Sequence, residues 1–427
     1  MNTSIRFMLA VSALVAGCEQ AGTVVSPLSP HLNIVSHGEI LWARQFGTPQ
    51  NEAAFTGSAD GVALYVAGRT AGSLVGVSAG SFDAWIRRYD FEGNAVWTHQ
   101  FGTAALDEVL GIHASEYGIY VAGTTAGTLP GQVSSGGNDA FVRKYDEDGN
   151  VLWTVQFGSG GIERGQAVHA DASGVYVAGS TSAAFSGYEN SGGRDAFVRK
   201  FDHNGQVVWT RQFGSTGDDL GSALTSDRSG LYLTGYATGA LPGLTALGDL
   251  DIYLRKYDSA GNEIWTQQFG SPDRDAPAFQ LVAEPSGIYL MGETGGSLGG
   301  PNAGGNDIFI RKYGTDGASV WTRQFGSAAD DFIEGIATEA TGIYGAGVTL
   351  GSMPGFTTAG AADLFAVKYD RDGNQVWLRQ FGTEANDGAF STAAGGKAAY
   401  AIGYTRAAFP GFVNIGGNDM LVIALRR

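Results

Sequence analysis

Trp153-Thr154-Val155-Gln156-Phe157-Gly158 is one of seven copies of a phrase whose spacing decides how this chain folds. Tryptophan recurs at Trp42, Trp97, Trp153, Trp209, Trp265, Trp321 and Trp377, at intervals of 55 and then 56 residues. Seven of the eight tryptophans are therefore in phase, and Gln-Phe-Gly follows each of the seven. A fixed internal period of this order marks solenoids, propellers or arrays, and 56 lies just above the usual range of about 20–50 residues.

The content of one repeat chooses among them. After strand a (152–157) come apolar runs near 166–170 (b), 175–179 (c) and 196–201 (d), each of ordinary strand length and bounded by turn residues. No window sustains the i, i+3, i+4, i+7 apolar pattern of a helix. Runs such as Gly174-Val175-Tyr176-Val177-Ala178-Gly179 are continuously apolar, as a strand buried on both faces requires. Four antiparallel strands repeated seven times predict an all-β, seven-bladed β-propeller over residues 39–427.

The connections are unequal. The d–a turn reads Asp-x-x-Gly-Asn, as in Asp146-Glu147-Asp148-Gly149-Asn150, and the b–c turn is equally short. Both suit tight hairpins with a glycine at positive φ. The a–b and c–d connections are longer. Strands alternate in direction, so the long connections share one end, where function is expected by default. The repeats begin with strand a (from Ile40) and stop after strand d (to Leu425), which predicts that the first a strand completes the last blade and closes the ring. Strand b then lies nearest the axis, consistent with its small residues, and the tryptophan strand lies outermost.

Glycine is 67 of 427 residues, roughly twice ordinary usage, as many tight turns require. The formal charge of −16 repels nucleic acid and anionic headgroups. The single cysteine, Cys18, rules out intrachain disulfides. It follows Arg6 and the apolar run Met8 to Ala16, too short to span a bilayer and of signal-peptide proportions. Val15-Ala16-Gly17-Cys18 resembles the lipobox of bacterial lipoproteins, which implies a signal peptide over 1–17 and lipidation of Cys18. Residues 18–38, with Pro27 and Pro30, read as a tether. Glu19 is not the aspartate typical of inner-membrane retention, so the outer membrane is the expected location.

Gly174-Val175-Tyr176-Val177-Ala178-Gly179-Ser180-Thr181, preceded by Asp171, resembles the bacterial seven-bladed propeller repeat called SBBP, and the likeness extends over residues 40–427. That resemblance implies the fold and an envelope location, and no reaction. Asp146-x-x-Gly149-x-x-x-Trp153 is similar to the tryptophan motif of quinoprotein-type propellers, which implies that the tryptophans dock one blade on the next. The same hairpin resembles the sialidase Asp-box in residue order alone, without the arginine triad of such enzymes.

Two sets of carboxylates recur. Glu52, Asp107, Glu163, Asp219, Asp275, Asp331 and Asp387 sit in the a–b connection six residues after each phenylalanine. Asp83, Asp139, Asp195, Asp251, Asp307, Asp363 and Asp419 open strand d. Both sets fall at the loop-rich end, which predicts two concentric acidic rings. Their recurrence in every blade favours a structural role, with backbone N–H groups or the recurrent Arg87, Arg143, Arg199, Arg255 and Arg311 as partners. The inner set also admits a cation, Ca²⁺ being the one that takes several oxygen ligands. Gln45 and its equivalents are expected to hydrogen-bond across blades.

The six histidines show no zinc-binding spacing. His113 and His169 occupy one position in adjacent repeats and are expected as hydrogen-bonded inner-strand residues that could meet near the channel. Apolar c–d segments such as Leu129-Pro130-Gly131 and Phe409-Pro410-Gly411-Phe412 read as plugs between blades or as contact tips. The functional expectation is a monomeric, envelope-anchored, non-enzymatic binding or scaffolding module whose acidic loop-rich face meets envelope proteins or glycans. The alternative is a hydrolase or lyase of extracellular polysaccharide at the channel mouth.

Overall fold

The computed structural model describes residues 37–427; the signal segment, Cys18 and the tether up to residue 36 lie outside the described residues. Twenty-eight strands run from β1 (Ile40–Phe46) to β28 (Asp419–Arg426) and form seven four-stranded antiparallel sheets. The protein is a seven-bladed β-propeller. The first blade is β2 (Glu52–Ala59), β3 (Leu64–Thr70), β4 (Asp83–Tyr89) and β5 (Ala95–Phe101), paired in that order. Five more blades repeat the scheme. The seventh pairs β26 (Asp387–Gly395), β27 (Ala398–Thr405) and β28 with β1, so the first strand in sequence closes the ring.

Closure reproduces the missing hairpin from two chain ends. Gly38 N–H donates to Arg426 O at 2.9 Å and Arg426 N–H to Glu39 O at 2.8 Å. Gly38 has φ +76° and lies against the Trp377 ring, as the hairpin glycines of other blades lie against theirs.

No single core exists. Seven apolar clusters fill the wedges between neighbouring blades. One joins Tyr65 and Ile86 of the first blade to Val109, Val121 and Phe141 of the second. Leu129 is buried in the same wedge, and Phe185, Leu241, Met353 and Phe409 fill equivalent wedges, so the first apolar residue of the c–d segment is a plug.

The tryptophan of strand a works in two directions. Inside its blade it packs on a strand-c tyrosine, as Trp153 does on Tyr120 at 6.0 Å between centroids. Across the wedge the indole N–H of five of the seven donates to the d–a hairpin of the next blade, among them Trp42 to Phe91 O at 3.0 Å, Trp97 to Glu147 O at 3.1 Å and Trp153 to His203 O at 3.0 Å, whereas those of Trp265 and Trp377 are buried without a partner. The hairpin glycine, Gly93 in the first case, rests on the indole with φ +82°.

Both marginal strands of every blade are bulged. In strand a the extra residue precedes the tryptophan; Leu152 is one, between the pairs Tyr145–Val151 and Lys144–Trp153, and it is exposed. A bulge twists an open edge away from further pairing, which accounts for a ring of exposed aliphatic residues on the rim.

Gly93→Ala and Gly131→Ala separate the backbone and docking contributions. Gly131 (φ +75°) has open space around a Cβ, so alanine there meets only left-handed backbone strain, about 1–2 kcal/mol. At Gly93 a Cβ would also lie 2.8 Å from the Trp42 ring, adding overpacking of about 1–3 kcal/mol. Urea unfolding of the two variants is expected to rank Gly93→Ala as the less stable.

Candidate functional site

The Gln-Phe-Gly phrase and the two carboxylate sets meet at the loop-rich end, and every blade assembles them alike. Gln156 donates Nε2–H to Asp139 Oδ2 at 2.7 Å and to Gly127 O at 2.9 Å, and its Oε1 accepts Leu129 N–H at 2.9 Å. The other six glutamines repeat the arrangement, from Gln45 with Asp419 and Phe409 to Gln380 with Asp363 and Met353. All partners belong to the glutamine's own blade. The expected cross-blade bond is thus corrected: the amide clamps the c–d segment to strand a and seats the plug. The outer aspartate also accepts N–H groups of its c–d segment, as Asp83 does from Ala79 at 2.8 Å.

The inner carboxylate caps the a–b connection. Its oxygens accept the backbone N–H of the residue four positions earlier: Thr48 to Glu52 at 2.9 Å, Ser159 to Glu163 at 2.7 Å, Ser271 to Asp275 at 2.6 Å. That residue is Ser or Thr in all seven copies, and its hydroxyl binds the same carboxylate, as Thr383 does Asp387 at 2.8 Å. A threonine ending strand c adds a second hydroxyl, Thr70 to Glu52 at 3.0 Å and Thr181 to Glu163 at 2.7 Å. The recurrent Ser/Thr after Gln-Phe-Gly was visible in the sequence and would have named this partner.

The glycine of the phrase lies between the two carboxylates. A Cβ on Gly102 would come within 2.8 Å of Asp83 Oδ1 and 2.9 Å of Asp107 Oδ2. Two carboxylates therefore converge in each blade, and all fourteen are at most 2 % exposed. This corrects the expectation of an acidic loop-rich face made by the rings. Exposed acids at this end, Glu189, Asp218, Asp249, Asp273 and Glu384, lie in loops outside the rings.

The strand-d arginines are not the carboxylates' partners either. Arg143 donates Nε–H to Thr154 Oγ1 at 2.8 Å and lies 3.8 Å above the Phe101 ring of the preceding blade. Arg87 lies likewise on Phe46, Arg255 on Phe213 and Arg311 on Phe269. These are cation–π contacts across the wedge, worth about 0.5–2 kcal/mol each.

Burial raises the pKa of several inner carboxylates. Asp219 is pushed up to about 7 and Glu52 to about 6, first by desolvation, with Asp195 and Asp419 respectively adding repulsion. Asp107, Asp275, Asp331 and Asp387 are also raised by burial, against the pull of their hydroxyl and N–H donors. Asp219 belongs to the blade in which Ala237 replaces the strand-c threonine, so it has one donor fewer. Among the described residues no three His, Cys, Asp or Glu side chains gather as a metal cluster. One oxygen of each inner carboxylate is bound by N–H and hydroxyl donors of its own loop, while Oδ1 of Asp107, Asp219, Asp275 and Asp387 is buried without a hydrogen-bond partner.

The open part of the channel lies elsewhere. Its cavity, about 280 Å³, is lined by the second halves of the innermost strands, towards the tight-turned end. There His113 of β6 (Asp107–Ser115) and His169 of β10 (Glu163–Asp171) do meet, with ring centroids 4.4 Å apart. On the opposite side, β18 (Asp275–Glu284) carries one residue more than its neighbours, and Gln280 crosses to Gly57 O at 3.2 Å and Thr392 N at 2.9 Å.

No family model matches the chain. It is 28 % identical to regulatory protein FlaEY of Caulobacter vibrioides over 186 residues, 39 % of this chain and 19 % of that protein. It is 22 % identical over 414 residues to WD repeat-containing protein L264 of Acanthamoeba polyphaga mimivirus, 70 % of this chain and 29 % of that one. The chain thus spans less than a third of the length of these curated relatives. Among solved structures, the WD40 propeller domain of Doa1 aligns with TM-score 0.49 and 8 % identity over 91 % of this chain and 96 % of that one. The Neurospora crassa Pan2 WD40 domain aligns at 0.42 and 10 %, over 74 % and 89 %.

The raised carboxylates have a consequence for pH. A group whose folded pKa exceeds its unfolded value stabilises fully below the unfolded pKa and loses that stability as pH rises through the folded one. For Asp219 the window runs from 3.8 to about 7, for Glu52 from 4.5 to about 6. The hairpin carboxylates Asp146, Asp258 and Asp370, lowered chiefly by their asparagine partners, act oppositely and only below 3.8. The contribution of Asp219 and Glu52 to the melting temperature is therefore expected to rise as pH falls from about 8 to about 5, against an opposite contribution from His99, His113 and His169, whose proton affinity burial lowers. Asp219→Asn should flatten the upper part of that slope, and Ala237→Thr, which restores the missing donor, should do so partly. An Asp219→Asn profile that runs parallel to the wild type over this range would contradict the assignment.

Proposed function

We propose that the chain is a lipid-anchored, non-enzymatic binding or scaffolding module of the bacterial envelope, of the SBBP repeat type, lipidated at Cys18 and held at the outer membrane. Its partners are envelope proteins or glycans met by the loop-rich end. The observation that carries this reading is what that end offers to solvent. The carboxylates that recur there are buried within the blades, while the loop tips break the symmetry. Val413, Val77 and Val133, on three consecutive blades, are 79 %, 89 % and 80 % exposed. The equivalent position of the next blade is the exposed Glu189.

Chain entry supports the orientation. Gly38 stands in for a d–a hairpin glycine, so the chain enters the propeller at the tight-turned end and the loop-rich end lies opposite that entry. A polysaccharide hydrolase or lyase would need carboxylates able to reach a sugar. The fourteen recurrent ones are at most 2 % exposed and bound to their own loops.

Full-length protein used as bait in detergent-solubilised membranes is expected to retain a stoichiometric partner. Val77→Asp/Val133→Asp/Val413→Asp should lose it at unchanged melting temperature, and Cys18→Ser should release the chain from membranes. Glycan turnover by the purified protein would overturn the non-enzymatic reading.

A further inference from the structure

The central channel breaks sevenfold symmetry at one position. The residue of strand b that pairs with the strand-c tyrosine is Ser58, His113, His169, Thr225, Val282, Ala337 or Ala393 in successive blades. Two imidazoles thus stand side by side on the channel wall, across from the Gln280 bridge.

Their ring nitrogens are not equivalent. Ser226 donates its one hydroxyl hydrogen to Asp171 Oδ2 at 2.7 Å. Its oxygen therefore accepts from His169 Nε2–H, 2.9 Å away. That relay fixes the Nε2–H tautomer and leaves the Nδ1 lone pair of His169 free for a ligand. The order His–Ser–Asp also excludes nucleophile activation, because the serine proton is committed to the carboxylate and not to the imidazole. His113 packs its ring against that of His169 and lines the same cavity. An imidazole whose far N–H is held by a hydroxyl–carboxylate pair, as that of His169 is, has the outer-sphere support typical of a metal ligand.

Asp171 and Asp227, which end the inner strands of two adjacent blades, place negative charge at the tight-turned end of this wall. Glu284 is instead neutralised by Arg371 through two contacts of 2.9 Å.

We propose that His113 and His169 form a two-imidazole site in the channel for a divalent transition-metal ion of the zinc, nickel and copper class, with Ser226 and Asp171 orienting His169. Imidazole nitrogens suit these ions and not Ca²⁺ or Mg²⁺. Water completes the coordination within the cavity.

Calorimetric titration of Zn²⁺ into the full-length protein is expected to give one bound ion per chain, and Cu²⁺ to give an electron paramagnetic resonance spectrum with two coupled nitrogens. His113→Gln and His169→Gln, which keep the side-chain volume, should each weaken Zn²⁺ at least tenfold and reduce the coupling to one nitrogen. Ser226→Ala, acting through His169, should weaken Zn²⁺ roughly tenfold or more with two nitrogens retained. His99→Gln and His203→Gln should leave both readouts unchanged. Absence of Zn²⁺ heat in the wild type, or equal affinity in folded His113→Gln and His169→Gln as judged by melting, would overturn the proposal.

Discussion

Burying two carboxylates in every blade is the constraint on which this structure depends. A charged group taken out of water must find donors, and the repeat supplies them from its own chain: an amide, two hydroxyls and several backbone N–H groups. The glutamine holds strand a to the c–d segment, the inner carboxylate caps the a–b connection, and the glycine between them leaves room for both. Long connections at one end of a propeller would otherwise carry unpaired backbone. Here the buried acids tie each one down, and the plug residue is seated by the same amide.

The wedges between blades depend on a second set of recurring groups. Indole N–H groups reach the next hairpin, arginines lie on phenylalanines of the preceding blade, and aliphatic plugs fill the remaining volume. Because each blade buries its faces against two neighbours, a blade has no core of its own. The β1–β28 pairing therefore does more than add four strands together: it makes the first and last wedges equivalent to the rest.

Against this regularity stand a few departures, in the channel and at the loop-rich end. One extra residue in β18 sends Gln280 across the channel, two histidines face the cavity that remains, and Ala237 leaves Asp219 short of a donor. Structural residues are needed in every blade and so recur; ligand sites do not have to. The symmetric carboxylates carry the architecture, while the channel and the c–d tips carry the individuality of this chain.

The repeat period, the strand count, the unequal turns and the closing strand were legible in the sequence, because each follows from local chemistry copied seven times: apolar runs, hairpin glycines and a fixed tryptophan interval. Recurrence also located Glu52, Asp83 and their equivalents at the loop-rich end. It could not say which way they point or what they bind, since that depends on packing between strands far apart in the chain. Their shared end suggested an acidic face, whereas the folded blade turns those carboxylates inward to N–H and hydroxyl donors. The arginines went to aromatic rings of a neighbouring blade, a contact with no sequence-local signature. The meeting of His113 and His169, 56 residues apart, was a matter of register, but the relay that fixes the lone pair of His169 needed Ser226 and Asp171 placed by tertiary structure.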